Sequence, residues 1–161
     1  MDVASRSRSR VEERLTRLEE DFGTPEVTQT TFEVGAERYQ RALERSRDGQ
    51  LRLQVIVRDD DGAVLLCEGD DEWLVPSGQT RPDERLPEAV RRIVAEAAGV
   101  DCSVTDVARA NIHGIRNSDD EDADTVYRLS VVFVAETAES DADGTQSVRW
   151  RSEPDAVSEL V

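Results

Sequence analysis

Three charged residues stand at spacings that could do chemistry: Glu84, Arg92 and Glu96. Carboxylates three or four residues apart on one helix face can converge on a divalent cation, and an arginine set four residues from a glutamate can pair with it instead. Glycines bracket the group, Gly78 before it and Gly99 after it. Glu88 lies four residues before Arg92 and Glu96 four after, so ion pairs flanking the arginine are the ordinary expectation for that face. Elsewhere the chemistry is sparse. His113 is the single histidine, so no histidine-based metal site or catalytic triad can be assembled, and it reads as a strand residue. Cys67 and Cys102 lack metal-type spacing and read as buried, reduced thiols.

The elements that must position these residues are legible. Trp73-Leu74-Val75 reads as a short strand, 76–84 as a loop carrying Pro76 and Pro82, and 85–98 as a helix stopped by Gly99. Ahead of them Leu51, Leu53, Val55 and Val57 alternate with polar residues, Asp59-Asp60-Asp61-Gly62 is a hairpin turn, and Ala63 to Cys67 returns as a strand. After them come strands over 103–116 and 125–135, with the acidic loop 117–124 between them. An acidic loop over 137–145, a short strand over 146–150 and a terminal helix over 154–160 close the chain. Strands on both sides of a central helix suggest an α/β fold, a mixed β-sheet sandwiched between helices.

The stretch 78–100 resembles the Nudix box, the signature of metal-dependent hydrolases of nucleoside-diphosphate-linked substrates. Gly78, Glu84 five residues on, Arg92 seven further, then Val94, Glu96, Gly99 and Val100 fall in register with it. The resemblance covers about 110 residues and implies a Nudix domain over 51–161, a nucleotide-type small-molecule partner, and Mg²⁺ or Mn²⁺ if the protein is active. Carried over by position, it makes Glu96 catalytic, Glu84 and Glu96 metal ligands, and Gly78, Arg92 and Gly99 structural. Two of the three helix carboxylates that the box uses for its metal are replaced, by Ile93 and Ala97. Leu86, Val90, Ile93 and Ala97 form an apolar stripe at helical spacing, so both replacements are expected to be buried packing. Hydrolysis is accordingly expected to be impaired or absent, with no bound metal required. The alternatives are an active pyrophosphohydrolase using Glu84, Glu96 and acids of the 119–124 loop, or a non-catalytic nucleotide-binding sensor or dimeric scaffold.

Residues 1–50 lie outside the resemblance and read as an extension: a helix over 11–22, a strand over 27–34 and a helix over 36–47. The Ser-Arg run before residue 11 reads as a solvated end. The apolar stripe Val11, Leu15, Leu18 and Phe22 must dock on the main domain or pair with a second copy, so the extension offers a surface for a homodimer.

Composition narrows the partners. The 161 residues carry 36 acidic and 20 basic side chains, a net charge of −16, and every basic residue other than His113 is arginine. So negative a surface disfavours nucleic acid. No apolar run approaches a membrane span and no secretory signal is visible, so a cytoplasmic location is expected. The acidic excess is that of a protein from a salt-loving organism. At about 1 M salt the Debye length falls to about 3 Å, which removes most of the self-repulsion of such a surface. The melting temperature is therefore expected to rise as KCl is raised from about 0.1 M to about 1 M, measured by circular dichroism; a fall would overturn the halophilic reading.

Overall fold

The computed structural model describes residues 3–47, 50–69, 72–81, 83–137 and 148–152. In chain order these form α1 (Val3–Phe22), β1 (Glu26–Val34), α2 (Ala36–Arg47), β2 (Arg52–Arg58), β3 (Val64–Glu68), β4 (Trp73–Leu74), β5 (Ser77–Gln79), α3 (Leu86–Ala98), β6 (Ser103–Asn117), β7 (Val126–Glu136) and β8 (Val148–Arg151). The terminal helix expected over 154–160, most of the 137–145 loop and Pro82 lie outside the described residues.

One mixed sheet holds the eight described strands, in the order β1-β6-β7-β2-β3-β4, with β5 paired to β2 and β8 to β3. The pairs β1–β6 and β2–β7 are parallel and the others antiparallel. β7 is the middle of the assembly, and its valine-rich run Val131, Val132, Phe133 is fully buried. Alternation along each strand divides the core between the two faces. Leu53, Val55, Val57, Val131 and Phe133 face one cluster, which includes Ala89, Val90, Ile93 and Val94 of α3 and Val11 and Leu18 of α1. Ile56, Val64, Leu66, Val75 and Val132 form a second cluster on the opposite face.

The first fifty residues are woven into this sheet. β1 pairs along its whole length with β6, from Glu26 opposite Arg109 to Val34 opposite Asn117. The apolar stripe of α1 is spent on the core: Leu18 is buried, and the Phe22 ring meets Phe133 edge-on at 5.3 Å. Of the two fates open to that stripe, docking on the main domain is the one observed. The Ser-Arg run is a further difference from expectation, because it is helical from Val3 rather than a solvated end. Ser7 is buried, with its hydroxyl donating to the Ala4 carbonyl and accepting from the Tyr127 amide. Arg8 stacks over the Tyr127 ring at 5.5 Å. These contacts extend the helix two turns beyond its apolar pattern.

The acidic loop between β6 and β7 explains itself locally. Asp119 accepts the Ala36 amide (3.0 Å) at the start of α2, and Asp124 accepts the Val3 amide (3.3 Å) at the start of α1. The Asp124 carbonyl also accepts the Tyr39 hydroxyl at 2.5 Å. Carboxylates at helix N-termini satisfy orphan amides and complement the helix dipole. Asp119→Ala should therefore lower stability by about 1 kcal/mol, read as a shift in the urea midpoint without a change in slope.

Candidate functional site

The box is built around Arg92. Its guanidinium donates from Nε to Glu84 Oε2 (2.7 Å) and from one terminal nitrogen to both Glu84 Oε1 (2.9 Å) and the Gln79 carbonyl (2.8 Å). The other terminal nitrogen reaches Glu96 Oε2 at 3.3 Å. The fork on Glu84 is bidentate and largely shielded, with side-chain exposures of 18% for Arg92 and 13% for Glu84. It ties the loop to α3. Asp83 takes a left-handed conformation (φ 61°), and the turn lets the Glu84 amide bond the Arg81 carbonyl while the Glu84 carboxylate accepts the Arg81 amide (3.0 Å). Hydrogen bonding from Arg92 holds the Glu84 carboxyl below the usual range against the opposing effect of burial, and the same contact pushes Arg92 up. Glu84 Oε1 thus accepts twice and Oε2 once, all from nitrogen donors.

Glu96 is more exposed and bridges two arginines, Arg92 through Oε2 and Arg81 through Oε1 at 3.1 Å. Glu88 makes no ion pair with Arg92, so only one of the two flanking pairs expected on this face exists. The loop itself is anchored to β2: Thr80 donates its amide to the Leu51 carbonyl (2.9 Å) and accepts the Leu51 amide on its hydroxyl (3.0 Å). The segment read as loop also contains β5, in which Gly78 sits opposite Leu53.

Gly78 is needed for close approach rather than for a turn. A Cβ there would lie 3.1 Å from Ile93 Cγ1 and 3.3 Å from Cδ1, inside ordinary contact distance. Ile93 is 3% exposed and fills the space against this glycine. Gly99 is the glycine that supplies a positive φ (70°), and its amide caps α3 on the Ala95 carbonyl at 2.8 Å. Ala97 departs from expectation. It is exposed, as are Ala95 and Glu96 around it, because the buried face of α3 runs through Ala89, Val90, Ile93 and Val94 and position 97 falls outside it, with the Cys67 thiol 3.9 Å from its carbonyl. Of the two residues expected to be buried, only Ile93 lies in the core.

Arg81, Arg116, Arg128 and Arg149 do not meet at one place. Arg81 pairs with Glu96. Arg116 lines a surface recess with Glu33 and acids of the 117–124 loop. Arg149 lies over the Trp73 ring at 4.1 Å. Arg128 is half-buried and donates weakly to the Gln79 side chain and the Gln50 carbonyl, both at 3.3 Å. His113, beside the Phe32 ring, is pushed down by burial and by the charges of Arg128 and Arg52. Cys67 and Cys102 are free thiols, each pushed up by burial, Cys102 to about 11. Among the described residues no cluster of three or more histidine, cysteine, aspartate or glutamate side chains is arranged to hold a metal ion.

A mixed sheet with a loop-and-helix box clasped by an Arg–Glu fork defines a Nudix-type α/β domain. A family model for the NUDIX domain matches residues 50–160, and the chain belongs to that family. Solved structures similar to it include the dihydroneopterin triphosphate pyrophosphohydrolase of E. coli, at 19% identity and TM-score 0.50 over 67% of this chain and 84% of that one. The Ap4A hydrolase of C. elegans aligns at 15% identity and TM-score 0.48, covering 67% and 83%. A NUDIX hydrolase from Nitrosomonas europaea aligns at 17% identity and TM-score 0.48; 65% of this chain is covered, and the match spans 57% of that protein. At these identities the likeness is one of fold. No curated protein sequence matches significantly. No helix among the described residues is long and apolar enough to cross a membrane.

The Arg92–Glu84 fork makes a prediction about acid stability. A carboxyl whose folded pKa is depressed contributes stability above its unfolded value, and that contribution is lost as pH falls through the folded pKa. Arg92→Met should lower stability at pH 7 by about 2 to 3 kcal/mol, by stranding a shielded carboxylate. The variant's deficit should shrink as pH falls from the ordinary glutamate value of about 4.5 through the depressed one, seen in urea melts of both proteins at each pH.

Proposed function

We propose that this is a Nudix-family domain that binds a nucleotide-type small molecule and has lost the family's metal-dependent hydrolysis. The observation that carries the reading is Ile93 packed against Gly78. The box asks for a metal-binding carboxylate at that position, and the side chain present is apolar, buried and in contact with the loop glycine. What remains does not fit a divalent cation. Glu84 is held by the Arg92 fork and the Arg81 amide, and Glu96 offers two oxygens that each already accept from an arginine. Mg²⁺ needs several hard oxygen ligands in near-octahedral array, and a lone exposed carboxylate beside two guanidinium groups is a poor start on one. The acids that could substitute support the same reading, since Asp119 and Asp124 are bonded to the starts of α2 and α1. In this view Glu84 and Arg92 brace the box, and Glu96 screens the two arginines.

The test is a turnover assay in high-salt buffer with Mg²⁺ or Mn²⁺, across nucleoside triphosphates, dinucleoside polyphosphates and nucleotide sugars. No release of nucleoside monophosphate or phosphate is expected, while at least one nucleotide raises the melting temperature. Metal-dependent turnover abolished by Glu96→Gln would instead establish the active hydrolase.

A further inference from the structure

The sheet face turned away from α1 and α3 carries a recess of about 520 Å³. Strand alternation decides what lines it. Leu53, Leu129, Val131 and Ala110 point into the core shared with both helices, so Arg52, Arg128, Ser130 and His113 point the other way. Register then brings these side chains together: His113 stands opposite Arg128, and Arg52 opposite Ser130. One strand further out, the Phe32 ring of β1 reaches the His113 ring, with centroids 5.5 Å apart and planes tilted by 34°. Arg38 of α2 adds a further guanidinium to the lining.

Two side chains set this recess apart from ordinary surface. Phe32 is one of three large apolar side chains left exposed among the described residues, so core packing does not account for it. Its ring and that of His113 form one wall. Arg128 is the other. It is half-buried, its Nε is shielded from water without a hydrogen-bond partner, and one terminal nitrogen makes long contacts to neutral oxygens, the Gln50 carbonyl and the Gln79 side chain, both at 3.3 Å. Burial and the like charges of Arg45 and Arg52 pull its pKa down to about 10. A guanidinium shielded this far is costly until an anion meets it. Glu33 also lines the recess, but alternation along β1 turns it to the opposite side from Phe32. Gln79, which meets Arg128 through its side chain, gives its carbonyl to Arg92, so the recess and the box share a residue.

We infer that the first fifty residues complete a nucleotide recess on this face, with the base against Phe32 and His113 and a phosphate on Arg52 and Arg128. The inference rests on the proposed nucleotide-binding function and gives it a place and a role for the extension. A planar base finds stacking surface on the two rings. The planar fork of arginine grips phosphate oxygens, and an anion between Arg52 and Arg128 supplies the acceptor that the buried Nε lacks. The volume is that of a small-molecule site. Phe32 and Arg38 precede residues 50–160, which match the family, so a domain without the extension would have neither the ring wall nor the third guanidinium. The charged groups facing His113 are Arg128 from β7 and Arg52 from β2, and with burial they hold the imidazole below its ordinary value. A phosphate that offsets these two cations raises it.

His113 is the single histidine, so its Cε1 proton in an NMR titration reports on this recess alone. The full chain is titrated with AMP, GMP, CMP and UMP, and with the matching nucleosides and inorganic phosphate as the separate halves. At least one nucleotide is expected to shift the resonance saturably and to raise the pKa of His113, with each half binding about tenfold more weakly or worse. Phe32→Ala, at an exposed position, should weaken that nucleotide about tenfold and leave phosphate unchanged. Arg52→Gln, also exposed, should weaken both by about tenfold. No saturable shift with any of the nucleotides, or an affinity that Phe32→Ala leaves intact, would overturn the inference. So would a nucleotide that raises the melting temperature while the His113 resonance stays in place, and in that case the proposed nucleotide binding would stand, with its site elsewhere.

Discussion

The Arg92 guanidinium is the interaction on which the site depends. One side chain joins a loop glutamate, a strand carbonyl and a helix carboxylate, and so sets the loop, β5 and α3 in a fixed relation. The fork is shielded enough that water cannot readily substitute for either partner. Everything nearby is arranged around it: Asp83 in its left-handed turn, Arg81 donating to Glu84 through its amide, and Thr80 pinning the loop to the start of β2. None of these contacts needs a metal ion. The clasp therefore holds loop and helix together by protein contacts alone.

Ile93 fits its position by shape. Gly78 brings β5 so close to α3 that a Cβ would meet Ile93 at 3.1 Å. The isoleucine occupies the room that the glycine leaves, and it is continuous with Val90 and Val94 in the main core. Position 97 shows the limit of reading such an exchange from a helical wheel. Azimuth placed Ala97 with Val90 and Ile93, but the buried face of α3 runs through Ala89, Val90, Ile93 and Val94 and leaves Ala97 exposed, while its neighbour Ala98 packs against the core.

Much of this was legible in the sequence. The strand alternation, the glycine stop and the box spacing located α3, β2, β3, β6 and β7 to within a residue or two, because each rests on local periodicity or turn chemistry. The register of Glu84 with Arg92 was visible, but the sequence could not show that the two side chains close a shielded bidentate fork. Parallel pairing of β1 with β6 joins residues far apart and left no local mark. The acids of the 117–124 loop looked like solvation because composition does not reveal which helix start lies opposite a carboxylate.

The pairing of β1 with β6 also bears on how the chain comes into being. Glu26 lies opposite Arg109, 83 residues later in the sequence (109 − 26). At ribosomal speeds of about 5–20 residues per second, β1 waits for several seconds before its partner exists. During that interval an extended segment with three threonines, Val27 and Phe32 has no neighbour to complete its backbone hydrogen bonds, a setting that favours association between nascent chains. Glutamates at both ends of the strand, Glu26 and Glu33, and the strongly acidic helix end before it (Glu19, Glu20, Asp21) repel a second copy during that wait. The same negative charge that shapes the finished surface therefore guards the unfinished one.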